Sequence, residues 1–153
     1  MDKILVLGVG NRLMGDDGIG LYVVEKLMQE NKDENVRYII GETDMYFCLE
    51  KIKESEKLII VDAMDAGENP GDISIIRLDH SDKNINIGLS HHNLHLIDLM
   101  KLHNIIVEVI LIGIKPFDIS FKVGLSSVLL NKLKYITKSV YLYIHEANYL
   151  FLS

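Results

Sequence analysis

Three hydrophobic runs without alternation constrain this chain most. Ile4-Leu-Val-Leu-Gly-Val9, Leu58-Ile-Ile-Val61 and Val109-Ile-Leu-Ile-Gly-Ile114 place apolar side chains at consecutive positions. A strand with one wet face alternates apolar and polar residues, so an unbroken run predicts a strand buried on both faces. Such strands need helices to cover them, and helical patterns lie between the runs. Residues 18–29 put Ile19, Val23, Val24 and Leu27 on one face, and Asp44 is placed to cap a helix through Lys53. A third helix spans His91–Leu102. Ser126 is placed to cap a last long one, with Val128, Leu129, Leu133, Ile136 and Val140 turned inward. Residues 36–40 and 73–78 read as further strands, 106–114 as the full extent of the last, and the polar stretch 79–86 as loop. Strand and helix in alternation predict an α/β fold, a mostly parallel twisted sheet with helices on both faces, in one domain over residues 1–153.

Composition narrows the function classes. With 48% hydrophobic residues among 153, the chain can bury a core. Sixteen Lys and Arg against 22 Asp and Glu give a formal charge of −6. That balance argues against nucleic acid and anionic lipid as partners. No apolar run approaches the roughly 20 residues needed to span a bilayer, and none opens the chain as a secretory signal. Cys48 is the single cysteine, which excludes internal disulfides and multi-cysteine zinc sites. A cytoplasmic protein is expected.

Parallel sheets of this kind bind ligands at the carboxyl ends of their strands, here the segments after Val9, Val61 and Ile114. The first is the glycine-rich loop Gly8-Val-Gly-Asn-Arg-Leu-Met-Gly-Asp-Asp-Gly-Ile-Gly20. A dinucleotide fingerprint would have glycine at position 13, where Leu13 stands and would obstruct close helix–strand packing. A phosphate-binding loop would have Lys and Ser/Thr where Asp16 and Asp17 stand, and two carboxylates repel a phosphate. The loop instead presents acids, suited to a cation or a positive substrate group. Either acid also suits a helix start, and both roles fit together if Asp16 caps while Asp17 faces the cleft.

Asp62 follows the second buried run, where a carboxylate is costly unless it is paired, hydrogen-bonded or coordinating. A turn or cap role is equally open to it. Five of the six histidines fall between His80 and His103, three of them in Ser90-His-His-Asn-Leu-His95. His91 and His95 are four apart, but the glutamate of an H-E-x-x-H metalloprotease is missing. His92, at a helix start, can turn its imidazole into the cleft; a solvated helix start is the plainer alternative. Asp17, Asp62 and His92 together make an O, O, N donor set for a borderline metal ion. Cys48 reads as a buried small hydrophobe, the C-terminal tyrosines as packing residues, and no serine-nucleophile elbow occurs.

These segments resemble the maturation proteases of nickel–iron hydrogenases. The stretch Ile4 to Asn11, with Leu13, Asp16, Asp17, Gly18 and Gly20, is similar to the family's opening motif. Leu58-Ile-Ile-Val-Asp-Ala63 and Ser90-His-His-Asn-Leu94 resemble its second acid and histidine segments, and Gly113-Ile-Lys-Pro116 and Gly124-Leu-Ser126 two further features. The resemblance implies an endopeptidase that removes the C-terminal extension of a hydrogenase large-subunit precursor after nickel insertion. Asp17, Asp62 and His92 are then the catalytic and metal-recognising set, with nickel supplied by the precursor or replaced by a surrogate divalent ion. A spore-associated peptidase-like protein of similar fold, or a non-catalytic nickel-binding scaffold, is the alternative. The chain departs from the family at Asp17, where relatives often carry Glu, and at Ser127, where Pro often stands. It departs again at Ile40-Gly-Glu-Thr43, a segment the family associates with the choice of target.

Overall fold

The computed structural model describes residues 2–78 and 89–152; the loop expected at 79–86 lies outside them. Strands β1 (Asp2–Val9), β2 (Val36–Glu42), β3 (Ser55–Ala63), β4 (Ile73–Leu78) and β5 (Glu108–Ile114) form one sheet in the order β2-β1-β3-β5-β4. The β1–β2, β1–β3 and β3–β5 pairs are parallel, and β4 lies antiparallel on the edge beside β5. Helices α1 (Ile19–Glu30) and α4 (Ser127–Leu152) cover one face, α2 (Met45–Lys53) and α3 (His91–Leu102) the other. The expected three-layer α/β architecture is the one observed.

The unbroken runs explain the two layers. Along β1, Ile4 and Val6 pack under α1 and α4, while Leu5, Leu7 and Val9 pack under α2 and α3. Period-2 alternation thus feeds two cores from one strand. Each fully buried Ile, Leu or Val contributes roughly 1.5–3 kcal/mol of transfer free energy. On α4, Leu129, Leu133, Ile136, Val140 and Ile144 form the inward stripe, and Ser126 Oγ accepts from the Leu129 amide as the expected cap. Asp44 caps α2 in the same way through the Phe47 amide.

Four details differ from expectation. The strand carrying Asp62 runs two residues past Val61, because Asp62 and Ala63 still pair with Gly113 and Ile114 of β5. That last strand begins at Glu108 and not at 106, leaving Ile106 exposed. Leu13 does not obstruct helix packing, since its side chain is half exposed; the close contact of α1 with β3 is made at Gly20, where a Cβ would overlap the Val61 carbonyl. Tyr135 and Tyr141 are exposed and do not pack in the core. Among the described residues no helix is long and apolar enough to cross a membrane.

Candidate active site

Chain order reverses between β1 and β3, which neighbour each other while their connections leave on opposite sides of the sheet. This topological switch point opens a crevice at the carboxyl edge. A cleft of about 310 Å³ lies there, lined by Asp17, Asp65, Ser90, His91, His92 and apolar Ala63, Met64, Leu89, Pro116 and Ile119.

Asp17 reaches the cleft from a short 3-10 turn (Gly15–Gly18) between β1 and α1. Gly10, at φ +149°, lets the turn fold back tightly, because a Cβ there would sit 2.2 Å from the Asp17 carbonyl oxygen. The Asn11 amide donates to Asp17 Oδ2 at 3.0 Å, fixing the carboxylate. His92 comes from the first turn of α3, and its Nε2 lies 3.5 Å from the same Oδ2. That contact raises the His92 pKa above its ordinary value, burial opposes the rise, and the Asp62 charge adds to it.

Asp62 is brought to the same edge but does not line the cleft; it lies fully buried beneath it. Its Oδ1 accepts from the Ala63 amide at 2.7 Å, and its Oδ2 from Ser90 Oγ at 2.6 Å and Asn93 Nδ2 at 2.9 Å. Burial pushes its carboxyl up to about 7, with the neighbouring Asp17 charge adding to the rise. The hydrogen bond from Ser90, the positive His92 and the Ala63 amide pull the other way.

Ser90 and Asn93 belong to this site and were not singled out in the sequence. Ser90 is legible as an N-cap, and its Oγ accepts from the Asn93 amide at 3.2 Å. Its second bond, to Asp62, spans 28 residues and has no local signature. Among the described residues the buried Asn93 Oδ1 has no hydrogen-bond partner, so its amide keeps an unused acceptor.

Asp16 differs from the expected cap. It is fully buried and makes no bond to the start of α1, whose cap position is Gly18. Its Oδ2 instead accepts from the amides of Phe117 (3.0 Å) and Asp118 (2.9 Å) and from Ser126 Oγ (2.7 Å). Oδ1 accepts from the Ser126 amide at 2.7 Å. Cys48 is buried as expected, with burial pushing its thiol up to about 12, far from a nucleophile's range.

The donors facing the cleft suit a borderline cation: carboxylate oxygen from Asp17 and imidazole nitrogen from His92. Among the described residues no three His, Cys, Asp or Glu side chains are grouped closely enough to hold an ion as they stand. An ion would have to displace the Asp17–His92 contact and draw the imidazole to its neutral form.

Fold and cleft define an α/β protein with a carboxylate–imidazole centre at its switch point, and known proteins resemble it in sequence and fold. The family model for hydrogenase maturation protease, HycI, matches residues 21–141. A Methanocaldococcus jannaschii protein named as a hydrogenase maturation protease is 39% identical over 113 residues, 72% of this chain and 73% of that one. The hydrogenase maturating endopeptidase HybD from Escherichia coli superposes with a TM-score of 0.75 at 26% identity, covering 95% of this chain and 93% of that one. The endopeptidase HycI from Escherichia coli gives 0.69 at 32% identity, over 92% and 87%. The chain belongs to the hydrogenase maturation protease family, and it is a peptidase.

Proposed function

We propose that this endopeptidase acts on the precursor of a nickel–iron hydrogenase large subunit and removes its C-terminal extension after nickel insertion. The observation that carries the reading is the Asp17–His92 pair at 3.5 Å on the cleft wall, with Asp62 beneath it. In this reading the precursor brings the nickel, and Asp17 and His92 supply oxygen and nitrogen donors that recognise it. A substrate-borne cation placed there polarises the adjacent scissile carbonyl and lowers the pKa of an attacking water. Asp17, which lines the cleft beside His92 while Asp65 is paired with Lys115, takes the water's proton, and Asp62 tunes the pair electrostatically and holds Ser90 and the start of α3 in place. The cytoplasm is the proposed compartment, in keeping with the single buried thiol.

The test is incubation of the purified protein with nickel-loaded precursor, with C-terminal shortening read by intact mass. Asp62→Asn and His92→Ala are expected to abolish processing with far-ultraviolet circular dichroism unchanged. Normal processing by both variants overturns the site. Metal binding without shortening of the cognate precursor favours a nickel-binding scaffold instead.

A further inference from the structure

The segment between β5 and α4 exposes an unusual run of apolar side chains. Phe117, Ile119, Phe121 and Val123 are 61%, 54%, 80% and 72% exposed. A short segment that holds four such groups in water forgoes the free energy their burial would release, roughly 1.5–3 kcal/mol each if complete. The segment is not loose. Asp16 grips its beginning and its end through Phe117, Asp118 and Ser126. Its middle is stitched to the β1–α1 loop by Gly15 N to Lys122 O (2.8 Å) and Lys122 N to Leu13 O (2.9 Å). The resulting parallel bridge of Met14 with Lys122 brings half-exposed Leu13 alongside Phe121. Asp118 Oδ1 accepts from the Ser120 amide at 2.8 Å, which fixes the turn between Phe117 and Phe121 while the carboxylate's charge stays at the surface beside them.

This surface is continuous with the cleft. Ile119 and Pro116, from the same segment, line it together with Ser90 and His92, and Leu13 sits four residues before Asp17. A peptide seated at Asp17 and His92 that leaves the cleft on the Pro116–Ile119 side crosses these residues. Apolar groups fixed in advance bind without the ordering cost that a flexible loop would carry.

We propose that Leu13, Phe117, Ile119, Phe121 and Val123 form an exosite for an apolar segment of the polypeptide substrate outside the scissile bond. The exosite deepens the reading given above and rests on it. It supplies affinity remote from the reacting atoms, so its loss raises KM and spares kcat.

The test compares the full-length protein with Phe121→Ser, Val123→Ser and the double variant on nickel-loaded precursor. KM is expected to rise about tenfold or more in the double variant, the equivalent of one aromatic anchor lost from an interface, with kcat within about twofold. Phe121→Leu is expected to restore most of the affinity, and unchanged melting temperatures exclude misfolding. An unchanged KM overturns the exosite. So does a wild-type dimer in sedimentation equilibrium that the double variant dissociates, since a second copy is then the occupant. Should wild-type protein leave the precursor uncut, the functional reading fails separately. Direct binding of that uncut precursor, weakened in the double variant, still supports the exosite, and equal binding overturns it.

Discussion

Asp62 combines complete burial with three hydrogen bonds to its carboxylate, and its ionisation governs how the fold responds to pH. In the unfolded chain it titrates near 3.8, and in the fold at about 7. Between those values the folded protein holds the proton more tightly than the unfolded chain. Its contribution to stability is complete below about pH 4 and is lost as pH rises toward about 7. His92 is raised too, so its contribution is present below 6.5 and is lost as pH rises through the folded value. Both act in one direction. The melting temperature is expected to fall between about pH 5 and pH 8, and Asp62→Asn to flatten that fall. The Asp62 share is on the order of 3 kcal/mol, at about 1.36 kcal/mol per pKa unit. The asparagine is accommodated because Asn93 can turn its unpartnered Oδ1 toward the new amide. Thermal melts of both proteins across the window check this, and equal slopes refute it.

Between residue and molecule, the informative unit is the pair of loops that Asp16 joins. One buried carboxylate satisfies three backbone amides and one hydroxyl, so its removal orphans four donors at once. Asp16→Ala is expected to cost about 3 kcal/mol or more in chemical denaturation, well above an average single substitution. The amides of Phe117, Asp118 and Ser126 are expected to lose hydrogen-exchange protection before the strands do. Protection unchanged at those three positions would show that the segment holds itself. Local pattern could not have shown this role, because the partners of Asp16 lie more than 100 residues away. The elements themselves were legible for the opposite reason: strand runs, helical faces and the caps at Asp44 and Ser126 are local signals. The edge strand β4 was legible as a strand but not as antiparallel, since direction depends on the connection to β5. Exposure of Phe117 and Phe121 was not legible either, as an apolar residue after a buried strand reads as core until the fold places it. For the site, the ends of buried runs pointed to Asp17 and Asp62. Neither the separation of Asp62 from the cleft by Ser90 nor the contribution of Asn93 has a sequence signal.

At the scale of the whole molecule, the switch point gathers groups from three separate stretches of chain: the turn after β1, the end of β3 and the start of α3. A cation held between Asp17 and His92 would tie the β1–α1 loop to α3 across the sheet edge. Binding to the folded form alone raises global stability by mass action, about 2.7 kcal/mol at a hundredfold excess over the dissociation constant. Nickel(II) is therefore expected to raise the melting temperature near pH 8, with a chelator reversing the rise. The increment is expected to shrink near pH 5, where His92 holds its proton more tightly than an ordinary imidazole and resists the metal. His91 and His95 lie four apart on exposed positions of the same helix and offer nickel a competing surface site. His95→Ala separates the two: it is expected to leave the thermal shift intact, while His92→Ala and Asp17→Ala remove it. A shift that follows His95, or none at millimolar nickel, would mean that free metal does not bridge the switch point and that recognition requires the polypeptide around it.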